Sequence, residues 1–187
     1  MSQAAERQLD LSEFRALSNA IATYEDFNLL VRRLVEGICR TFTIKGASIM
    51  LLDEKEGRLF RVSSCGISET YLNKGPVFVD SCYCCLGSGK VEIVQDLQND
   101  ERIQYPEAAR KEGLASLLAI PVKYKTTAVG VIRLYHTEQM QICEEDIDSL
   151  CALGSQLGVV IENNNLYNFL EQIKKAVESL PPHMLHA

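Results

Sequence analysis

The chain has 187 residues, 47% hydrophobic and 24% charged, with a formal net charge of −6. That length suits one domain with appendages and a single good core. The acidic balance has no basic stripe and argues against nucleic acid as a direct partner, no run approaches a membrane span, and the polar first residues predict no signal peptide. These features place the chain in the cytoplasm. There the seven cysteines, Cys39, Cys65, Cys82, Cys84, Cys85, Cys143 and Cys151, are expected as thiols and not as a disulfide framework.

Taken in order, residues 1–8 read as a loose leader. Phe14, Leu17 and Ile21 recur at helical spacing, and after a break at Thr23-Tyr24 a stronger stripe follows at Phe27, Leu30, Val31, Leu34, Ile38 and Phe42. Glu25 and Asp26 stand in its first turn, where acids suit the helix dipole, and Gly46 is expected to end the element. Ala47–Leu52 and Arg58–Cys65 read as strands around a tight turn at Asp53–Gly57. In the second strand Leu59, Arg61 and Ser63 alternate with Phe60, Val62 and Ser64, a half-solvated pattern. Ser68 caps a short helix through Asn73, and short strands follow at 77–79 and 91–94. Asp100 is expected to cap a helical region that restarts at Pro106 and ends at Gly113.

Leu114–Val122 and Ala128–Tyr135 are apolar runs joined by Lys123–Thr127, the pattern of an antiparallel hairpin. Gly130, Ile132 and Leu134 share one face; Val129, Val131, Arg133 and Tyr135 share the other. A sheet face that is apolar but carries a guanidinium and a phenol is how a binding pocket begins. Glu144–Asp146 then open a long helix with an inward stripe from Ile147 to Ile161. Asn163–Asn165 interrupt the stripe, and a second one follows at Leu166, Phe169, Ile173, Val177 and Leu180, before Pro181-Pro182. Its near-heptad spacing is that of a subunit interface. The order suggests a helical extension at 1–24, a domain at 25–167 and a helical tail at 168–187.

The texts Ala47-Ser-Ile-Met-Leu-Leu-Asp53, Val91-Glu-Ile-Val-Gln-Asp96, Ser116-Leu-Leu-Ala-Ile-Pro-Val122, Val129-Gly-Val-Ile-Arg-Leu134 and Glu144-Glu-Asp-Ile-Asp-Ser-Leu150, in this order and spacing, resemble the GAF domain family. The resemblance implies an α+β fold related to PAS domains. An antiparallel sheet of about six strands carries the long N- and C-terminal helices on one face. On the other, the loops of residues 66–113 roof a small-molecule pocket. It also implies a sensor or regulatory role in signal transduction, a homodimer through the terminal helices, and a separate effector; neither the ligand nor any cofactor is named by it.

Within that frame the expected ligand-binding residues are Cys82, Cys84, Cys85, Asp96, Tyr105, Arg133 and Tyr135. The lid cysteines carry three further readings: redox sensor, metal ligands, or small apolar fillers. Tetrapyrrole-binding members attach the chromophore through a lid cysteine often followed by histidine, whereas here Cys82 precedes Tyr83 and Cys84 precedes Cys85. Members that reduce free methionine sulfoxide need a thiol where this chain has Gly113-Leu-Ala-Ser116. Enzymatic activity is therefore not expected, and a ligand-free dimerisation module is the remaining alternative. Arg133 is expected to meet a ligand or an acid such as Asp96, Asp100 or Glu101.

Overall fold

The computed structural model describes residues 6–79 and 85–178. Six antiparallel strands form one sheet: β1 (Gly46–Asp53), β2 (Arg58–Cys65), β3 (Val77–Phe78), β4 (Glu92–Val94), β5 (Ser116–Tyr124) and β6 (Thr127–His136). Their order across the sheet is β3-β2-β1-β6-β5-β4, which puts the hairpin of β5 and β6 inside it. β5 is buried from Ser116 to Val122 because both of its faces are covered.

Three long helices cover one face: α1 (Leu11–Ala22), α2 (Phe27–Phe42) and α6 (Glu144–Glu178). Leu30, Leu34 and Ile38 of α2 and Leu150, Leu153 and Leu157 of α6 pack there on Ile49, Leu118, Ile120, Ile132 and Leu134. The opposite face carries shorter pieces: α3 (Glu69–Leu72), the single turn α4 (Cys85–Ser88) and α5 (Pro106–Glu112). Two smaller cores lie under them. Tyr71, Leu97, Leu114, Leu117 and Tyr135 form one. Met50, Leu59, Val77, Cys85, Ala119 and Val131 form the other.

Glycines let α6 ride close on β5. A Cβ at Gly158 would lie 2.0 Å from the Lys123 carbonyl oxygen, and one at Gly154 would lie 3.1 Å from that of Pro121. The helix is continuous through Asn163–Asn165, so these residues break the apolar stripe and not the backbone. Asn164 donates to the Tyr24 hydroxyl at 2.9 Å and to the Val160 carbonyl at 3.0 Å. At 1.5 Å per residue its 35 residues span ~52 Å.

Several expectations need correction. The leader is not loose at its end: the Gln8 and Leu9 amides donate to the Asp146 carboxylate at 2.8 and 3.0 Å, and the Leu9 side chain is buried. Gly46 does not end α2. Thr43 ends it, at φ +48°, and Gly46 opens β1, where a Cβ would meet the Cys65 carbonyl oxygen at 2.5 Å. Asp100 caps no helix, because its carboxylate takes the Arg102 amide and Nε at 3.0 and 2.8 Å. α5 starts on Pro106, whose missing N–H costs nothing at a first helical position.

The alternation expected for β2 also changes midway. Arg61 pairs with Met50 and Ser63 with Ile49, so Val62 is bulged. Arg61 and Ser64 therefore share the face away from the long helices, and Arg61 donates to the Ser64 hydroxyl at 3.2 Å.

Candidate functional site

β6 builds the floor of the site. Along its loop-side face stand Val131, Arg133 and Tyr135. Val131 belongs to one small core and Tyr135 to the other, so Arg133 sits between them, 7% exposed. Tyr135 and Ser48 hydroxyls are 3.3 Å apart, and the Tyr71 ring meets the Tyr135 ring edge-on at 5.8 Å. Arg133 thus faces the short loop elements, as the alternation of β6 predicts.

α3 and α5 form the walls. Ser68 caps α3 by accepting from the Tyr71 amide, and its own amide donates to Glu112 of α5 at 2.9 Å; its hydroxyl donates to the same carboxylate. Between the helices lies a cleft of about 590 Å³, bordered by Tyr71, Lys74, Tyr105, Pro106, Lys111 and Glu112. Beneath it a small void of about 30 Å³ continues past Tyr71, Lys74 and Tyr105 to Leu117 and Arg133.

The far end is stapled. Tyr105 donates from its hydroxyl to the Pro76 carbonyl at 2.7 Å, and Gln104 donates to the same oxygen at 3.1 Å. The Phe78 amide returns a hydrogen bond to Gln104 at 3.3 Å. Gly75 makes the approach possible: at φ +132°, a Cβ there would lie 2.6 Å from the Tyr105 hydroxyl.

Lys74 enters from the end of α3. Its Nζ lies 3.9 Å from the Tyr71 ring centroid and donates to the Tyr71 carbonyl at 3.2 Å. Burial, followed by the Arg133 and Arg61 charges, pulls its ammonium down to about 8. The Tyr71 phenol is pushed up by burial and by Tyr135 beside it.

The residues expected at the site therefore part company. Tyr105, Arg133 and Tyr135 come together around the floor and staple. Asp96 is exposed at the surface, where it holds its own turn through the Gln98 and Asn99 amides and the Asn99 side chain. Cys85 is fully buried in the core with Met50 and Val131. Cys82 and Cys84 lie outside the described residues. Among the described residues no group of His, Cys, Asp or Glu side chains is arranged to hold a metal. Sequence reasoning passed over Tyr71, Lys74 and Glu112. The one visible signal was an aromatic and a lysine three apart at the end of a capped turn, just before Gly75-Pro76.

Comparison with known proteins places this geometry. A family model described as GAF domain matches residues 25–162. The GAF domain of a phosphoenolpyruvate-protein phosphotransferase from Coxiella burnetii superposes with a TM-score of 0.75 at 14% identity, covering 84% of this chain and 95% of that one. The corresponding domain from Acinetobacter gives 0.72 at 19% identity, covering 83% and 94%. A free methionine-R-sulfoxide reductase from Neisseria meningitidis, solved with its substrate, gives 0.69 at 14% identity, covering 89% and 99%. No curated protein matches. The curled six-stranded sheet, its helical backing and the matched span agree, and the chain belongs to the GAF domain family.

Proposed function

We propose that this domain is a cytoplasmic sensor that binds a small molecule in the cleft between α3 and α5 and signals through a homodimer of its terminal helices. GAF domains are typically regulatory or sensor domains in signalling proteins. The observation that carries the reading is the cleft itself: a space of about 590 Å³ between α3 and α5, with a small void of about 30 Å³ that shares Tyr71, Lys74 and Tyr105 with it and reaches the buried Arg133 of β6. Arg133 lies on that face while its neighbours Ile132 and Leu134 pack in the helix-side core, so a ligand that moves β6 also moves the bed under α2 and α6. Among the described residues no helix is long and apolar enough to cross a membrane.

Native mass spectrometry of the gently purified chain tests the binding claim. A mass increment that disappears on denaturation is expected; a bare polypeptide mass together with no response to a small-molecule library would refute it.

The dimer rests on α6. Leu166, Phe169 and Ile173 are 51, 58 and 44% exposed at spacings of three and four, on a helix that outruns the sheet. A second copy of the same stripe is the occupant that would cover them, as paired a and d positions. Phe169→Asp is expected to convert a dimer to a monomer in analytical ultracentrifugation at micromolar concentration. A wild-type chain that sediments as a monomer at all concentrations ends this part of the proposal. The effector is then a separate chain or domain that reads the helix pair.

A further inference from the structure

Lys74 stands where the cleft meets the small void beneath it, and Arg133 borders that void. The Lys74 ammonium has a neutral carbonyl and an aromatic face as its contacts, and no carboxylate lies within 4 Å of it among the described residues. Arg133 on β6 and Arg61 on β2 both act on it as like charges. Glu112 on α5 is the acidic group that reaches it, and that carboxylate is already held by the Ser68 amide and hydroxyl. An ammonium drawn out of water beside other cations gains more from an anion than an exposed lysine does. The outer wall differs. There Glu107 and Lys111 border the cleft but not the inner void, whereas Lys74 borders both. Tyr71, Tyr105, Pro106 and Ala108 supply apolar surface between the two.

We infer that the cleft takes a small organic monocarboxylate, its anionic group against Lys74 and its apolar or aromatic body along Tyr71, Tyr105 and Pro106. The inference rests on the ligand-binding reading above and narrows it to one chemical class. The affinity is pH-dependent in one direction. As pH rises through about 8 and above, Lys74 loses its proton and the seat its charge. Facing it are Tyr71 of α3, Arg133 and Tyr135 of β6, Arg61 of β2, and Tyr105, Glu107, Lys111 and Glu112 at or in α5. The Tyr71 phenol is pushed upward and so stays neutral through that window.

The test titrates the full isotope-labelled chain with benzoate, benzamide and inorganic phosphate, read by amide chemical shifts. Benzoate is expected to bind about tenfold tighter than benzamide at pH 7, a typical gain for one charge-assisted contact. Its shifts should centre on Tyr71, Lys74 and Tyr105, and its affinity should fall severalfold by pH 9.5, where benzoate is still ionised. Lys74→Met should abolish the preference for benzoate while leaving benzamide binding intact; Lys111→Met should keep the preference. Equal binding of benzoate and benzamide, or tighter binding of phosphate, overturns the carboxylate inference and leaves the cleft as a ligand site. No shift at any cleft residue with any of the three overturns both.

Discussion

Gly158→Ala is expected to destabilise the protein by at least ~3 kcal/mol, the cost of forcing a side chain into a packed interface. The direction is opposite to what helix propensity predicts, since glycine to alanine inside a helix ordinarily gains about 1 kcal/mol. The reason is backbone. The new methyl would lie 2.0 Å from the Lys123 carbonyl oxygen, 2.4 Å from its carbon and 3.0 Å from the Tyr124 nitrogen. None of these is the far end of a flexible side chain. Either the end of β5 or the whole of α6 has to move, and moving α6 loosens Leu157 and Ile161, which flank the contact in the main core. Urea unfolding reads this as a lowered midpoint with an unchanged slope. Gly154→Ala is the internal control. Its methyl would meet the Pro121 carbonyl oxygen at 3.1 Å, a contact that small adjustments relieve, so a change within ~1 kcal/mol is expected. A Gly158→Ala protein as stable as wild type would mean that α6 does not ride on β5 as closely as described.

The second large effect belongs to Asp146. Its carboxylate is fully buried and takes the amides of Gln8 and Leu9, which join the start of the chain to the first turn of α6. Hydrogen bonds to a charged acceptor contribute about 1.5–3 kcal/mol each, but the freed amides regain water once the segment lifts away. Asp146→Ala is therefore expected to cost about 3 kcal/mol in total, including release of the buried Leu9 side chain at about 2 kcal/mol. Asp146→Asn keeps one acceptor oxygen and should lose about half as much, again on the order of 1–2 kcal/mol. Hydrogen exchange separates this from general loosening. The Gln8 and Leu9 amides should exchange freely in the alanine variant while the amides of β5 keep their protection. Unchanged protection at Leu9 would show that the carboxylate does not hold the segment.

These two contacts also mark where the sequence stops being readable. The hairpin of β5 and β6, the helices α1, α2 and α6, and the side to which Arg133 points all follow from apolar periodicity, because each element has one strongly apolar face. Asp146 looked like one more acid in a helix first turn, and nothing local says that its partners lie near residue 8. The bulge at Val62 was hidden for a similar reason: a strand with serines at both 63 and 64 has no apolar preference to fix its register there. At the site, a guanidinium and a phenol on a core strand stood out, whereas Lys74 read as an ordinary charged residue before a turn. Its position depends on α3 and α5 facing one another, a contact that neither segment encodes by itself. Asp96 was chosen for its charge. Its own turn consumes that charge, as aspartates followed by a run of polar residues commonly do.

The outermost strands have a consequence of their own. β3 is two residues long and β4 three, at opposite rims of the sheet. Strands that short carry few backbone amides and carbonyls of their own, so β3 and β4 are poor templates for the addition of a neighbour's strand. Among the described residues, sheet extension from β3 or β4 is thus disfavoured by their length, which leaves side-chain surfaces as the better ground for the proposed pairing of copies.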